Sequence, residues 1–290
     1  MGVSKYQLYQ GIFMKLFAQK QDVLSLELDK FLSHVVRSEK KEIQGMLEKD
    51  INLLLRTSEI TDCSDRVFSD CTGYQYALWA MDKPAWDAML QCIPQGEQGT
   101  RVATQLLQQL EHLKAPGLKY TIQDKAITEQ HYDFALIQAL EHHENYFSTP
   151  IKHISNWDEM NQHWRIEVGD AQRKAPMWIV HEFCGGDPFV QNEFDTPPAE
   201  IQTCYNENGQ KITWFGESNQ KRLGRDFAFR KRIECTPYSG PTAEDWYLPN
   251  LELEAMETLS TLRTEQFNNH EQELRDLVQK LNTEYPSMGF

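Results

Sequence analysis

The 290-residue chain has no apolar run near the roughly 18 residues that a membrane-spanning helix needs. It also lacks the apolar stretch of a secretory signal after its polar start, Met1-Gly2-Val3-Ser4-Lys5. No CxxC pair offers a zinc or redox dithiol, and no GxxxxGK[ST], GxGxxG or GxSxG segment offers a phosphate loop or a nucleophile elbow. Lipid anchoring lacks its marks as well. Tyr6 stands where myristoylation wants Ser or Thr, and Ser287-Met288-Gly289-Phe290 holds no prenylatable Cys. Basic residues are scarce, 29 against 43 acidic, for a net charge of −14, which disfavours nucleic acid and anionic membranes as partners of the whole surface. The expectation is a soluble, cytosolic chain with no transmembrane segment, no cofactor and no metal.

Hydrophobic residues make up 40 % of the chain, enough for a core. The six cysteines, Cys63, Cys71, Cys92, Cys184, Cys204 and Cys235, are irregularly spaced over a long chain, which fits a reducing compartment better than a disulfide scaffold.

Helical periodicity from about Gln7 to Arg56 predicts two or three helices, through Val23, Leu24, Leu28, Phe31, Leu32, Val35 and Val36. Thr57 to Ser69 reads as a connector. Thr72 opens a helix through Tyr76, Ala77 and Trp79, and Pro84 starts a second with Trp86, Met89 and Leu90, giving a helical hairpin. Val102 to Leu113 repeats the pattern until Ala115-Pro116-Gly117 stops it. Leu118 to Ile122 is strand-like, with Ala126-Ile127-Thr128 as partner. Helix returns at Tyr132 to Tyr146, then at Trp157 to Ile166 behind Ser155, and at Gly169 to Phe183 with a break at Pro176. Ile201–Tyr205 and Lys211–Phe215 flank an Asn-Gly turn, a hairpin signal, and Asp226–Arg230 is a third strand. One or two acidic helices close the chain, with ten acidic and three basic residues between Glu244 and Glu284.

These elements predict a mainly α-helical α+β fold: a helical lobe, a small antiparallel sheet between about Ile201 and Arg230, and long C-terminal helices covering it. The division expected is N-terminal helices over 1–56 and one compact α+β unit over 57–290. Its β-rich part is 199–235 and its C-terminal helices are 246–284.

Three constellations carry candidate chemistry. His181, Cys184 and Asp187 put an imidazole, a thiol and a carboxylate within seven residues, with His181 and Cys184 on one helix face; the plain alternative is a helix end with a buried structural Cys. Lys221, Arg222, Arg225, Arg230, Lys231 and Arg232 place six cations in twelve residues, opposed only by Asp226. They form a candidate site for phosphate, a phosphoinositide headgroup or an acidic protein, or else an internal counterpart of the acidic helices. His142-His143 and His153 with His163 offer imidazoles, but adjacent helical residues point about 100° apart, so one ion cannot take both of the first pair without outside partners. Trp79, Trp86, Trp157, Trp164 and Trp178 fall at apolar helical positions, where core packing is the default.

The segment Thr72-Gly73-Tyr74-Gln75-Tyr76-Ala77-Leu78-Trp79-Ala80-Met81-Asp82 looks like a single degenerate ankyrin-type helix pair, keeping Thr72 and Ala77 of that repeat's pattern. Its Ala-Leu-Trp-Ala-Met-Asp run also resembles a module of proteins injected by Legionella through the Dot/Icm type IV secretion system. Tyr132-Asp133-Phe134 agrees with that module. So do His163-Trp164 with Val168-Gly169-Asp170-Ala171-Gln172-Arg173, Pro176, Glu182 and Cys184, and Leu223-Gly224-Arg225-Asp226-Phe227-Ala228. The resemblance runs from about Cys63 to Leu281. It implies a virulence effector delivered into a host cell, with Glu271, Glu273 and Met288 resembling an export signal, and it carries over no catalytic residue. The function expected is a protein-interaction module acting on a host protein or another effector. The alternatives are a cysteine-dependent transferase, deamidase or protease, and anionic-ligand or phosphoinositide binding through 221–232.

Overall fold

A computed structural model describes residues 24–147, 163–184, 204–205, 211–212, 229–231, 237–239 and 248–284. Helix α1 (24–36) leads into α2 (Lys40–Leu47) and a 3₁₀ turn (Ile51–Leu55). Asp50 caps that turn, accepting from the Asn52 amide at 3.0 Å and from the Arg56 guanidinium at 2.8 Å.

Residues Thr57 to Ser69, expected to be a connector, instead form most of a hairpin of β1 (Ser58–Thr61) and β2 (Val67–Cys71). The Ser, Thr and Asp density belongs to its turn. Asp62 Oδ1 accepts from the amides of Ser64 (2.7 Å) and Arg66 (2.9 Å), so the side chain builds the turn that the composition suggested while Ile60 and Phe68 enter the core.

The helical hairpin forms as its caps dictate. In α3 (Gly73–Trp79) Thr72 and Gln75 make a reciprocal capping box, and in α4 (Lys83–Gln91) Asp82 accepts from the Ala85 amide at 3.1 Å with Pro84 in the first turn. Helix α5 (Glu97–Lys114) buries Val102, Leu106, Leu110 and Leu113 along one stripe. It ends where Gly117, at φ +83°, donates its amide to the Leu113 carbonyl; a Cβ there would sit 2.8 Å from the Glu129 carbonyl oxygen. Strands β3 (Leu118–Ile122) and β4 (Lys125–Glu129) follow in the expected pairing, Tyr120 opposite Ile127, around Gln123 and Asp124, both at positive φ as a two-residue type I′ turn needs.

The sheet is thus four-stranded and antiparallel in the order β1-β2-β3-β4, drawn from residues 58–129 and not from 201–230. In the later region the described strands form two short pairs, β5 (Cys204–Tyr205) with β6 (Lys211–Ile212) and β7 (Phe229–Lys231) with β8 (Pro237–Ser239). The first is the Asn-Gly hairpin read from the sequence.

Helix α6 (Ala135–Phe147) precedes a π-helical turn (Trp164–Val168), which runs directly into α7 (Gly169–Arg173). Pro176 separates α7 from α8 (Met177–Cys184), and α9 (Leu248–Glu284) is one continuous helix of 37 residues. Its buried face, Met256, Leu259, Arg263, Phe267, His270, Leu274 and Leu281, recurs at spacings of three, four and seven and lies against α5 and α6. Ion pairs pin its solvent edge: Lys114 to Glu271 at 3.1 Å and Arg275 to Glu111 at 2.6 Å. The fold is mainly helical α+β.

Buried apolar residues from Leu28 to Leu274 form one contiguous cluster. Its centre is aromatic: Phe68, Tyr76, Trp79, Tyr120 and Tyr132 interlock edge to face and tilted, with Phe68 and Trp79 4.9 Å apart. The buried Arg66 guanidinium lies over Trp79, Tyr120 and Tyr132 at 5.1–5.7 Å and reaches Asp62 at 3.3 Å. Trp79, Trp86, Trp164 and Trp178 are all core residues, and Trp157 lies outside the described residues.

Candidate functional site

A polar cluster at the surface joins α6 to the π-helical turn. On α6, His142 faces solvent and His143 faces inward, as their 100° separation requires. Across from them the π-helical turn carries His163, Trp164 and Glu167, with His163 and Glu167 four residues apart on one face. Glu167 divides its carboxylate between the two histidines: Oε2 lies 2.5 Å from His142 Nδ1 and Oε1 lies 3.2 Å from His163 Nε2. The other nitrogen of His163, Nδ1, meets His143 Nδ1 at 3.2 Å.

Packing fixes the rings. Tyr146 stacks on His163 at 5.0 Å and 10°, and the Trp164 indole stands edge to face on His143 at 4.9 Å. Trp164 is fully buried, so the inner half of the cluster is anchored in the core while His142 and Glu167 stay open to water. His142, His163 and Glu167 offer three donor atoms within 4.8 Å of one another. Sequence reasoning noted the histidines but paired His163 with His153, which lies outside the described residues. Glu167 was missed, although its i, i+4 spacing from His163 was the available signal.

The expected catalytic group is only partly in view. His181 is buried on α8, and burial lowers its pKa to about 4, which makes it a weak base for a neighbouring thiol. Cys184 closes the same helix three residues on; its side chain and Asp187 lie outside the described residues. Of the basic segment, Arg230 and Lys231 are on β7, and Lys221, Arg222, Arg225 and Arg232 lie outside the described residues.

A second network is internal. Tyr74 and His270 are fully buried, with the phenol oxygen 2.7 Å from His270 Nε2, while His270 Nδ1 lies 3.1 Å from Glu273 and Trp86 covers the imidazole. This network joins α3 and α4 to α9. Burial lowers the His270 pKa and raises that of Tyr74. Its place between packed helices makes it a clamp.

The histidine cluster falls near the start of the stretch that a family model matches. Residues 135–274 match the family model of the CBUA0006 C-terminal domain. Over 225 residues the chain is similar to an uncharacterized Coxiella burnetii protein, CBUA0006, at 29 % identity, covering 69 % of this chain and 62 % of that protein. The chain therefore spans less than two thirds of the relative. That relative comes from Coxiella, whereas the motif resemblance pointed to Legionella. No solved structure matches. Both α6 and the π-helical turn lie within the matched residues.

Proposed function

We propose that the chain is a bacterial effector module that binds a protein of the host cell, or another effector, through the face built by α6 and the π-helical turn. The observation that carries this reading is Ile166. Among the described residues it and Leu26 are the two large apolar side chains left exposed, at 44 % and 70 %, while the other large apolar groups are buried or half-buried. Leu26 adjoins the end of the described stretch, whereas Ile166 stands on the π-helical turn, next in sequence to Glu167 of the histidine cluster. An exposed apolar side chain on an element that also carries ionisable groups suits a partner-binding surface.

Two lines support the rest. The motifs shared with Dot/Icm substrates favour delivery by type IV secretion, and the similarity to a Coxiella burnetii protein favours a bacterial source. Cysteine chemistry gains little from the described thiols: burial raises the pKa of Cys71 and Cys92, and Cys63 points to the Val36 carbonyl at 3.6 Å.

The test is site-specific photocrosslinking in host-cell extract, with a benzophenone side chain at position 166 and, as control, at the exposed Glu257 of α9. A discrete adduct at 166, absent at 257 and competed by unlabelled wild-type chain but not by Ile166→Asp, is expected. Identical adduct patterns at both positions, or equal competition by Ile166→Asp, overturn the reading. Delivery is tested separately, by fusing the chain to a reporter enzyme in bacteria with and without the secretion system.

A further inference from the structure

We propose that His142, His163 and Glu167 form a binding site for a divalent first-row transition metal ion, with Zn²⁺ the ion that the donors suit best. Two imidazoles and one carboxylate are an N,N,O set of the kind that Zn²⁺ takes with a fourth position left open. Ligand bonds of about 2.0–2.2 Å put neighbouring donors of a tetrahedral site about 3.3 Å apart. The His163 Nε2 to Glu167 Oε1 distance is 3.2 Å, and all three donor atoms lie within 4.8 Å. His142 is the shortest contact, 2.5 Å from Oε2. Its side chain is 60 % exposed, so a small rotation makes room for an ion between them.

The outer contacts are those a metal-binding histidine requires. An imidazole that gives Nε2 to a metal keeps its proton on Nδ1, and that proton needs an acceptor. His143 Nδ1 stands 3.2 Å from His163 Nδ1, where two ring nitrogens can share only one proton. With His163 ligating through Nε2, its Nδ1–H donates to His143 Nδ1, and the proton of His143 resides on Nε2. The tautomers of both rings then follow from one another. Tyr146 stacked on His163 and Trp164 against His143 hold the rings in this orientation without any ion. Such a site is preorganised on its inner side and adjustable on its outer side. Its fourth position faces water, because His142 and Glu167 are the exposed members, so the site accepts a water molecule or a donor atom from a binding partner.

The proposal goes beyond partner binding and is measured on the purified full chain alone. The probe is Zn²⁺ titrated against a chromophoric chelator, with Co²⁺ as a spectroscopic substitute. One equivalent of Zn²⁺ per chain and visible Co²⁺ bands of a four-coordinate site are expected. Glu167→Gln keeps the size and hydrogen bonding of the side chain, and His142→Ala removes an exposed one, so both fold. Loss of a ligand weakens Zn²⁺ by more than about 100-fold, beyond the 10–100-fold that outer-shell changes cause, and His143→Gln falls in that lower range. Circular dichroism of each variant separates lost binding from lost structure. Absence of equimolar binding, or binding unchanged in both Glu167→Gln and His142→Ala, overturns the site.

Discussion

Two buried groups on neighbouring parts of the core pull the stability of this chain in opposite directions with pH. His181 on α8 has its pKa lowered by burial from 6.5 to about 4, so the unfolded chain takes up a proton that the folded chain resists. Its contribution is fully present above pH 6.5 and is lost as pH falls through 4. At about 1.36 kcal/mol per pH unit the whole effect is about 3 kcal/mol, of which about 2 kcal/mol is lost between pH 8 and pH 5. Asp82, the cap of α4, behaves in reverse. Burial raises its pKa from 3.8 to about 6, so its contribution is fully present below pH 3.8 and lost as pH rises through 6. Between pH 8 and pH 5 it returns about 1 kcal/mol. His270, also lowered by burial, adds in the direction of His181. The assay is urea denaturation of wild type, His181→Leu and Asp82→Asn at both pH values, where groups common to all three cancel in the differences. His181→Leu should lose about 2 kcal/mol less than wild type on going from pH 8 to pH 5, and Asp82→Asn about 1 kcal/mol more. Asn keeps the helix cap, so the second variant reports the titration and not the loss of a cap. A His181→Leu change within about 0.5 kcal/mol of wild type would show that the imidazole is not desolvated as its burial demands.

Two glycines separate steric need from helix propensity. A Cβ on Gly99 would lie 1.7 Å from the Pro94 carbonyl oxygen, so Gly99→Ala should destabilise by about 3 kcal/mol or more, whereas Gly45, inside α2 with open space around it, should gain about 0.5–1 kcal/mol as Ala; denaturation midpoints check both. Tyr74→Phe strands His270 Nε2 in the core and should cost about 1–3 kcal/mol, read from the same measurement, and a neutral result would show that the clamp does not hold α9. Cys71, fully buried with its thiol pKa pushed up, should resist iodoacetamide in the native chain at pH 7 and react on unfolding; mass spectrometry of the labelled peptides would expose native labelling as the contrary result.

Much of the fold was written in local signals. Thr72, Asp82 and Pro84 set α3 and α4, Gly117 ended α5, and Pro176 parted α7 from α8, because caps and breakers act within a turn of their own position. The β1–β2 hairpin was hidden for the opposite reason. Its strands are four and five residues long, and the Asp62 turn that joins them has the polarity of a loop. The sheet was consequently sought in the later chain, where the turn signal is louder. Nothing local distinguishes Arg66 as a core residue; its burial depends on Trp79, Tyr120 and Tyr132, three aromatics from three other segments.

The histidine cluster combines both cases. The separation of His142 from His143 followed from helix geometry alone, and it is that separation which gives the two rings different tasks, one toward Glu167 and one toward His163. Helix geometry also offered the partner, since His163 and Glu167 are four residues apart; what it withheld was the π-helical turn between them. A regular α-helix through 164–168 would give each residue a 100° step, whereas the π-helical turn widens the backbone where His163 and Glu167 must both reach α6. A local irregularity of that kind costs backbone hydrogen-bond quality and persists when surrounding packing enforces it, here the buried Trp164 edge-on to His143. Straightening the turn should therefore disperse the cluster even with every histidine retained. Deleting Ile166, which removes the extra residue of the widened turn, should abolish Zn²⁺ binding by the full chain while its circular dichroism stays helical, and retained equimolar binding would show that the π-helical turn does not position these donors.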